Sequence, residues 1–282
     1  MKIIDLHTHS KASDGSLTPS ELVQHAKHKG LSAIALTDHD TIDGLQEALN
    51  TASKISIECI PGVEISVDYI PEMHILGYFS QKNYTKIQPT LKPLKEQRKN
   101  RNLKTIQKLN DLGLNVDYKE LKKISPEGLI GRPHIALLLA QKGLVSSFSE
   151  AFDKYLAPGK LAYYKKASLL PQEGIQAIVE AGGVPVLAHP IYLQQSFAQL
   201  DKTLNELKNF GLKGIETFYT DHTLEDTTNL LKLAVKHKLI CTGGSDFHGI
   251  FNKGVEIGIG RGNLQINYEL YENIRNLFAV TS

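Results

Sequence analysis

Short apolar segments alternate with amphipathic segments along most of the chain, and this pattern predicts strands that alternate with helices. Residues 3–8 and 31–37 are predicted strands. The helix between them begins at Thr18, which has a capping-box partner in Glu21 and a proline, Pro19, at the first helical position. Alternation of this kind is typical of an α/β fold with a mostly parallel sheet.

Five further apolar segments complete the predicted strands. They cover residues 55–65, 74–79, 184–188, 214–218 and 239–242. Seven such strands predict a closed or nearly closed barrel. Residues 87–170 have helical patterns and no strand pattern, so we expect a helical insertion between the fourth and fifth strands. The predicted division is a barrel formed by residues 1–86 and 171–282 and a helical substrate lobe formed by residues 87–170.

Composition narrows the class of protein. The chain has 282 residues, of which 41% are hydrophobic, and this suits one large barrel that carries an insertion. Its net charge of +2 is too small to imply polyanion binding by itself. The two cysteines are far apart and lack metal-type spacing, and no apolar run is long enough to span a bilayer. We therefore expect a cytoplasmic protein.

Histidines and carboxylates gather at or near the ends of the predicted strands. The candidate metal ligands are His7, His9, Asp14, His39, Glu64, His74, His189, Asp246 and His248. His7 and His9 are two positions apart, as are Asp246 and His248, so each pair points to one side of an extended strand. The first and last strands are neighbours in a closed barrel. Because one catalytic zinc usually takes three protein ligands, nine candidates suit two or three ions.

Taken in order, six motifs resemble those of the PHP superfamily, which is named for polymerase and histidinol phosphatase. They are DLHTH at residues 5–9, SDG at 13–15, TDHD at 37–40, PGVE at 61–64, AHP at 188–190 and SDFH at 245–248. The resemblance implies a distorted seven-stranded α/β barrel and a phosphoesterase activity. It also implies that hydroxide held by the ions attacks phosphorus, with no catalytic residue beyond the metal ligands.

The resemblance further implies a site for three ions. The implied ligand sets are His7, His9, Glu64 and Asp246 for the first ion, Asp14, His39 and His248 for the second, and Glu64, His74 and His189 for the third. Glu64 would bridge two of the ions. Mixed imidazole and carboxylate ligands suit Mn²⁺, Fe²⁺ or Zn²⁺.

Within the superfamily, the chain is most similar to the nucleoside 3′,5′-bisphosphate phosphatases and the 5′-3′ exoribonucleases. The similarity rests on an aspartate rather than a histidine at position 14, on the helical insertion, on the GRPH motif at residues 131–134 and on residues 155–163. It implies that the substrate is a nucleotide or a short 5′-phosphorylated RNA. No protein partner or membrane is implied.

A substrate with two phosphates needs a second anchor, and the insertion offers basic residues for one. Arg98 and Arg101 are one helical turn apart, so their side chains can project together. Arginine matches phosphate oxygens bidentately. With Arg132 and His134 they are the candidate substrate-binding residues. An ordinary ion pair at a helix start is an equally good interpretation of Arg132.

Three alternatives stay open. A metal-dependent amide hydrolase on a related barrel also carries His-x-His after its first strand, but a bridging lysine is expected where the resemblance places Glu64. A non-catalytic nucleotide-binding module on the same scaffold is disfavoured by the complete set of ligands. A histidinol-phosphatase-like enzyme, or another small-molecule phosphatase, is disfavoured by Asp14 and the insertion.

Overall fold

A seven-stranded sheet forms the centre of the molecule, in a computed structural model that describes residues 2–126, 128–165 and 168–280. Its strands are β1 (Ile4–Thr8), β2 (Ala33–Leu36), β3 (Glu58–Val67), β4 (Met73–Tyr78), β5 (Val184–Leu187), β6 (Gly214–Tyr219) and β7 (Ile240–Gly244). Neighbours in the sheet follow the order of the chain. The predicted number of strands is therefore confirmed.

The strand directions are mixed, because β4 runs antiparallel to both of its neighbours while the other neighbouring pairs are parallel. The short β3–β4 connection makes this direction possible, since only antiparallel strands can be joined by a hairpin. The reversal has a consequence for the site. His74 lies near the start of β4 and pairs with Ser66 near the end of β3, so it reaches the same rim as the C-terminal ends of the other strands.

Backbone contacts between β1 and the segment after β7 close the sheet. The amide of Asp246 donates to the carbonyl of His7 at 2.9 Å, and the amide of His9 donates to the carbonyl of Phe247 at 2.9 Å. An added Cβ at Gly244 would lie 2.2 Å from the Cβ of His7, so the close approach of β7 to β1 requires glycine there. The barrel therefore brings the first and last strands together, as their motifs predict.

Ten α-helices accompany the strands in the described part of the chain. They are α1 (Pro19–His28), α2 (Leu45–Ile55), α3 (Gln88–Asp111), α4 (Tyr118–Ile124), α5 (Arg132–Gln141), α6 (Phe148–Ala151), α7 (Pro171–Glu180), α8 (Phe197–Asn209), α9 (Leu224–His237) and α10 (Glu269–Val280). The predicted capping box is confirmed, because Thr18 and Glu21 exchange side-chain-to-backbone hydrogen bonds at the start of α1. Among the described helices, none is long and apolar enough to cross a membrane.

Alternating residues of the strands build two apolar cores. On β2, Ile34 and Leu36 pack in the layer between the sheet and its helices. Ala33 and Ala35 face the other way, into a second cluster that also contains Leu6. Side chains of a strand point alternately to its two faces, so one short sequence serves both cores. The barrel interior is therefore a packed core, and its polar groups are concentrated at the rim.

The segment between β4 and β5 is helical. It contains α3 to α7 and a π-helical turn at Phe152–Leu156, and it has an apolar core of its own that includes Ile106, Leu121 and Ile135. Its backbone meets the barrel close to the rim, since the amide of Leu129 donates to the carbonyl of Ala12 at 2.9 Å. The division of the chain into a barrel and a substrate lobe stays a prediction.

Candidate metal centre

Glu64 lies in the middle of the polar rim, and histidine rings surround its carboxylate. Distances of 2.8–3.3 Å join its oxygens to five rings, those of His7, His9 and His39 at Oε2 and those of His74 and His189 at Oε1. The side chain is buried, with an exposed fraction of 1%. Two oxygens that face two sets of nitrogen atoms have the arrangement expected of a carboxylate that bridges two cations.

The predicted ligands form three overlapping groups. They are His7, His9, Glu64 and Asp246, then His9, Asp14, His39 and His248, and finally His39, Glu64 and His74. Within each group, the candidate ligand atoms all lie within 4.8 Å of one another. His189 joins the third group through Glu64 at 2.9 Å and His74 at 3.3 Å. The structure thus brings all nine candidates together, with His9 and His39 placed to serve more than one group.

Buried ring nitrogens without hydrogen-bond partners show that the cluster can hold metal ions. In this cluster, as far as residues 2–126, 128–165 and 168–280 are concerned, these atoms are Nε2 of His7, Nδ1 and Nε2 of His9, Nδ1 of His39 and Nε2 of His74, together with Oδ1 of Asp246. A buried polar atom without a partner is costly. Zinc–nitrogen bonds of ~2.1 Å in a tetrahedron put ligand atoms ~3.4 Å apart, which is close to the observed separations. The residues therefore fit divalent cations.

The charges of the cluster are tightly coupled. Burial alone would raise the pKa of the Glu64 carboxyl, but His39, His74 and His7 outweigh burial and hold it well below its usual range. Burial alone would lower the pKa of His9, yet Asp246 and Glu64 raise it to about 10. His74 likewise reaches a pKa of about 10 beside Glu64. The carboxylate of Glu64 is therefore ionised, and the rings of His7, His9 and His74 favour the protonated form, so a cation would have to displace their protons.

A second layer of contacts orients the ligands. Nδ1 of His7 lies 3.0 Å from Oε1 of Glu216, whose other oxygen accepts a hydrogen bond from the amide of His189 at 2.7 Å. The hydroxyl of Tyr219 donates to Oδ2 of Asp246 at 2.9 Å. Sequence reasoning missed both β6 residues. Glu216 follows the apolar Ile215 in a predicted strand, and a charged residue at such a position could have identified it from the sequence.

Replacing Glu216 with glutamine should lower metal affinity by about ten- to a hundredfold, which is the usual effect of losing a partner behind a metal-bound histidine. The cause is that a neutral amide no longer fixes the tautomer of His7. Titration of metal-stripped protein with Mn²⁺, followed by calorimetry, measures the change. Glu206 on the exposed face of α8 provides the matched control, Glu206→Gln. Equal affinities in the two variants would contradict an orienting role for Glu216.

A cavity of about 720 Å³ opens above the cluster. It is lined by ligands, among them Asp14, His39 and Asp246, and by basic and aromatic residues of the insertion. A cavity of this size accommodates a small organic ligand. The basic wall of the cavity is formed by Arg98, Arg101 and Arg132. Cations bound by the cluster, together with this basic wall, would suit an anionic ligand with more than one charged group.

The predicted substrate-binding residues have different environments. Arg98 donates to the buried carboxylate of Asp40 at 2.7 and 3.2 Å, so its charge is already compensated. Arg132 donates to both carboxylate oxygens of Glu72 at 3.0 and 3.2 Å. An ion pair of this kind is one of the two roles predicted for Arg132. Both arginines also line the cavity. His134 accepts from the amide of Gly131 at 2.9 Å and lines a neighbouring cavity.

Arg101 differs from the other two arginines. It is buried, with an exposed fraction of 6%, and its Nε donates to the side chain of Asn102. Among the described residues, one terminal nitrogen of its guanidinium group has no hydrogen-bond partner. Burial, together with the charges of Arg98 and Arg132, lowers its pKa to about 9. A guanidinium nitrogen in the cavity wall that has no partner among the described residues can bind an anion.

The chain is similar to known proteins over most of its length. The PHP domain family matches residues 5–169. A 5′-3′ exoribonuclease of Haemophilus influenzae is 36% identical over 248 residues, which cover 88% of this chain and 90% of that protein. A 3′,5′-nucleoside bisphosphate phosphatase of Chromobacterium violaceum is 33% identical, over 92% of this chain and 91% of its own.

A solved structure shares the fold. A protein of Bifidobacterium adolescentis that is described as a metal-dependent phosphoesterase superposes with a TM-score of 0.87 at 28% identity. The match covers 98% of this chain and 96% of the other chain. The mixed seven-stranded barrel is therefore common to both proteins.

Proposed function

Because the chain belongs to the PHP domain family, we propose that it is a metal-dependent phosphoesterase that acts on nucleotides. The proposed substrates are nucleoside 3′,5′-bisphosphates and short 5′-phosphorylated RNA, which it would degrade from the 5′ end. One observation carries the proposal: the carboxylate–imidazole cluster lines the same cavity as Arg101, whose guanidinium has one nitrogen without a partner among the described residues. The relatives named for these two activities support the same substrate class.

The nine clustered residues are proposed to hold two or three Mn²⁺, Fe²⁺ or Zn²⁺ ions. Bound there, the ions would supply a water nucleophile near neutral pH and neutralise charge that develops on the phosphoryl oxygens. The protein would hold the ligands of these ions in fixed positions. Glu64 holds two groups of histidines at fixed distances, while Glu216 and Tyr219 orient His7 and Asp246 from behind.

Discrimination between substrates is proposed to come from the basic wall, since a metal cluster contacts mainly the phosphoryl group that reacts. Arg101 would bind the phosphate that is not cleaved. Arg98 and Arg132 would add positive potential, although Asp40 and Glu72 compensate much of their charge. His134 would act on this wall indirectly, because its Nδ1 accepts a hydrogen bond from the amide of Gly131 at the start of α5, directly before Arg132.

Replacing Arg101 with methionine should lower kcat/KM for a nucleoside 3′,5′-bisphosphate by roughly ten- to a hundredfold. A charge-assisted hydrogen bond is worth ~1.5–3 kcal/mol, and methionine fills similar space without the charge. Hydrolysis of a small aryl phosphate, which has no second phosphate, should be unaffected. Arg275→Met on the exposed face of α10 is the control. Similar losses on both substrates would assign Arg101 to the fold or the metal site.

Arg132→Ala should give the same selective loss of kcat/KM on the bisphosphate, but a smaller one.

A substrate panel tests the proposed function as a whole. It contains a nucleoside 3′,5′-bisphosphate, a nucleoside 5′-monophosphate, histidinol phosphate, an aryl phosphate and a 5′-phosphorylated tetraribonucleotide, each with added Mn²⁺. We expect the highest kcat/KM for the bisphosphate or the oligonucleotide. A preference for histidinol phosphate would favour the histidinol-phosphatase alternative. Binding of nucleotides without turnover of any compound would favour a non-catalytic module.

A further inference from the structure

Two tyrosines of the insertion, Tyr163 and Tyr164, line the cavity, and a cation lies beside each ring. Arg132 lies 5.9 Å from the ring centre of Tyr163. The ammonium group of Lys104 lies 4.5 Å from the ring centre of Tyr164, and that of Lys108 lies 5.7 Å from it. Aromatic rings beside basic groups are the usual way in which proteins hold single-stranded nucleic acid without reading its sequence.

The lysines continue a row of basic residues that begins in the wall of the cavity. Arg101, Lys104 and Lys108 are spaced by three and four residues on α3, so they share one face of the helix. From Arg98 to Lys108 the helix rises by ~15 Å. These side chains therefore bring positive charge from the wall of the cavity to the ring of Tyr164.

The positive charge of these lysines is not cancelled by the contacts that hold them. Lys104 donates to the hydroxyl of Tyr164 at 2.7 Å, and Lys108 donates to the carbonyl of Tyr163 at 2.7 Å. Both acceptors are neutral oxygens. In contrast, Lys165 on the same segment lies 2.5 Å from a carboxylate oxygen of Asp68. Lys104 and Lys108 thus fix the two rings and still present charge to an anion.

We propose that Tyr164, Lys104 and Lys108 form a binding site for the nucleotide that follows the scissile bond of a 5′-phosphorylated RNA. The base would stack on Tyr164, and the lysines would attract its phosphate. This inference rests on the proposed function and deepens it. A mononucleotide ends before this site, whereas an oligonucleotide reaches it, so the site separates RNA from bisphosphate substrates.

Tyr164→Ala is expected to lower kcat/KM for a 5′-phosphorylated tetraribonucleotide by about 5- to 150-fold, as base–aromatic stacking energies imply. Hydrolysis of a nucleoside 3′,5′-bisphosphate should be unchanged. Tyr164→Phe keeps the ring and should retain the activity on RNA. If Phe and Ala are equally impaired, the hydroxyl rather than the ring is required and stacking is refuted.

The double variant Lys104→Ala/Lys108→Ala provides an independent measurement. Its kcat/KM for the tetranucleotide should depend less steeply on salt, with a logarithmic slope smaller by about 0.7 for each phosphate that is no longer neutralised. Lys119→Ala/Lys123→Ala on α4 is the matched control and should keep the slope of the wild type. Equal slopes in the two double variants would overturn the role of the lysines.

The two proposals fail in different ways. If the wild-type protein hydrolyses aryl phosphates but neither nucleotide substrate, the proposed function is wrong. If it hydrolyses the bisphosphate but not the tetranucleotide, the phosphatase stands and the RNA site is refuted. The RNA site is also refuted if Tyr164→Ala impairs both nucleotide substrates equally, because the residue would then support the first nucleotide or the fold.

Discussion

Glu64→Gln should reduce kcat/KM by roughly three orders of magnitude or more on every phosphate ester that the protein hydrolyses. The glutamate carboxylate faces five histidine rings through its two oxygens. Glutamine keeps the size of the side chain but removes its negative charge and replaces one oxygen with a donor. Metal ions contribute several kcal/mol to charge stabilisation in the transition state, and each 1.36 kcal/mol is a factor of ten in rate.

The matched control for this substitution lies on the same strand. Glu58 begins β3, and its carboxylate accepts a hydrogen bond from Tyr271 at 2.7 Å, away from the rim. Glu58→Gln should therefore leave kcat/KM and bound metal unchanged. Asp246→Asn should resemble Glu64→Gln, because Oδ1 of Asp246 lies 3.1 Å from His9 and 3.4 Å from His7. Near-normal turnover by Glu64→Gln, with metal content restored, would contradict the bridging role.

The sequence predicted those parts of the site that follow from strand periodicity and barrel closure. His7 lies on β1 and His9 directly follows it, and the closed barrel brings both beside the segment that follows β7. His74 was also predicted to be a ligand, but the strand direction that brings it to the rim was not predicted. It reaches the rim because β4 is antiparallel, and nothing in the apolar pattern of residues 74–79 distinguishes the two directions.

The pairing of individual charges could not be predicted, because it depends on side chains that meet across the fold. Arg98 and Asp40 are 58 residues apart, and Asp40 adopts a left-handed backbone conformation where it accepts this guanidinium group. Glu216 and His7 are 209 residues apart. Spacing rules on one helix placed Arg98 and Arg101 together, but only the packed structure shows that Arg98 pairs with a carboxylate while Arg101 has a guanidinium nitrogen without a partner among the described residues.

Removal of the metal ions is expected to abolish hydrolysis of all substrates, and addition of Mn²⁺, Fe²⁺ or Zn²⁺ should restore it. The protein as purified should contain more than one divalent ion per chain, since the predicted ligands form three groups. Prolonged dialysis against a strong chelator, followed by metal analysis and activity assays, tests this expectation. Full activity in protein shown to be free of metal would rule out the mechanism.

Proton release provides a second test that does not depend on turnover. In the absence of cations, the neighbouring carboxylates raise the pKa of His9 and of His74 to about 10, well above the ~6.5 of an exposed histidine. Both rings are therefore protonated at pH 7, and only the neutral ring binds a cation. Metal uptake by stripped protein in weak buffer should release protons, and affinity should rise with pH between 7 and 10. Glu64→Gln weakens this proton affinity, so each bound ion should displace fewer protons. Uptake without proton release would mean that the ions bind outside the cluster that contains His9 and His74.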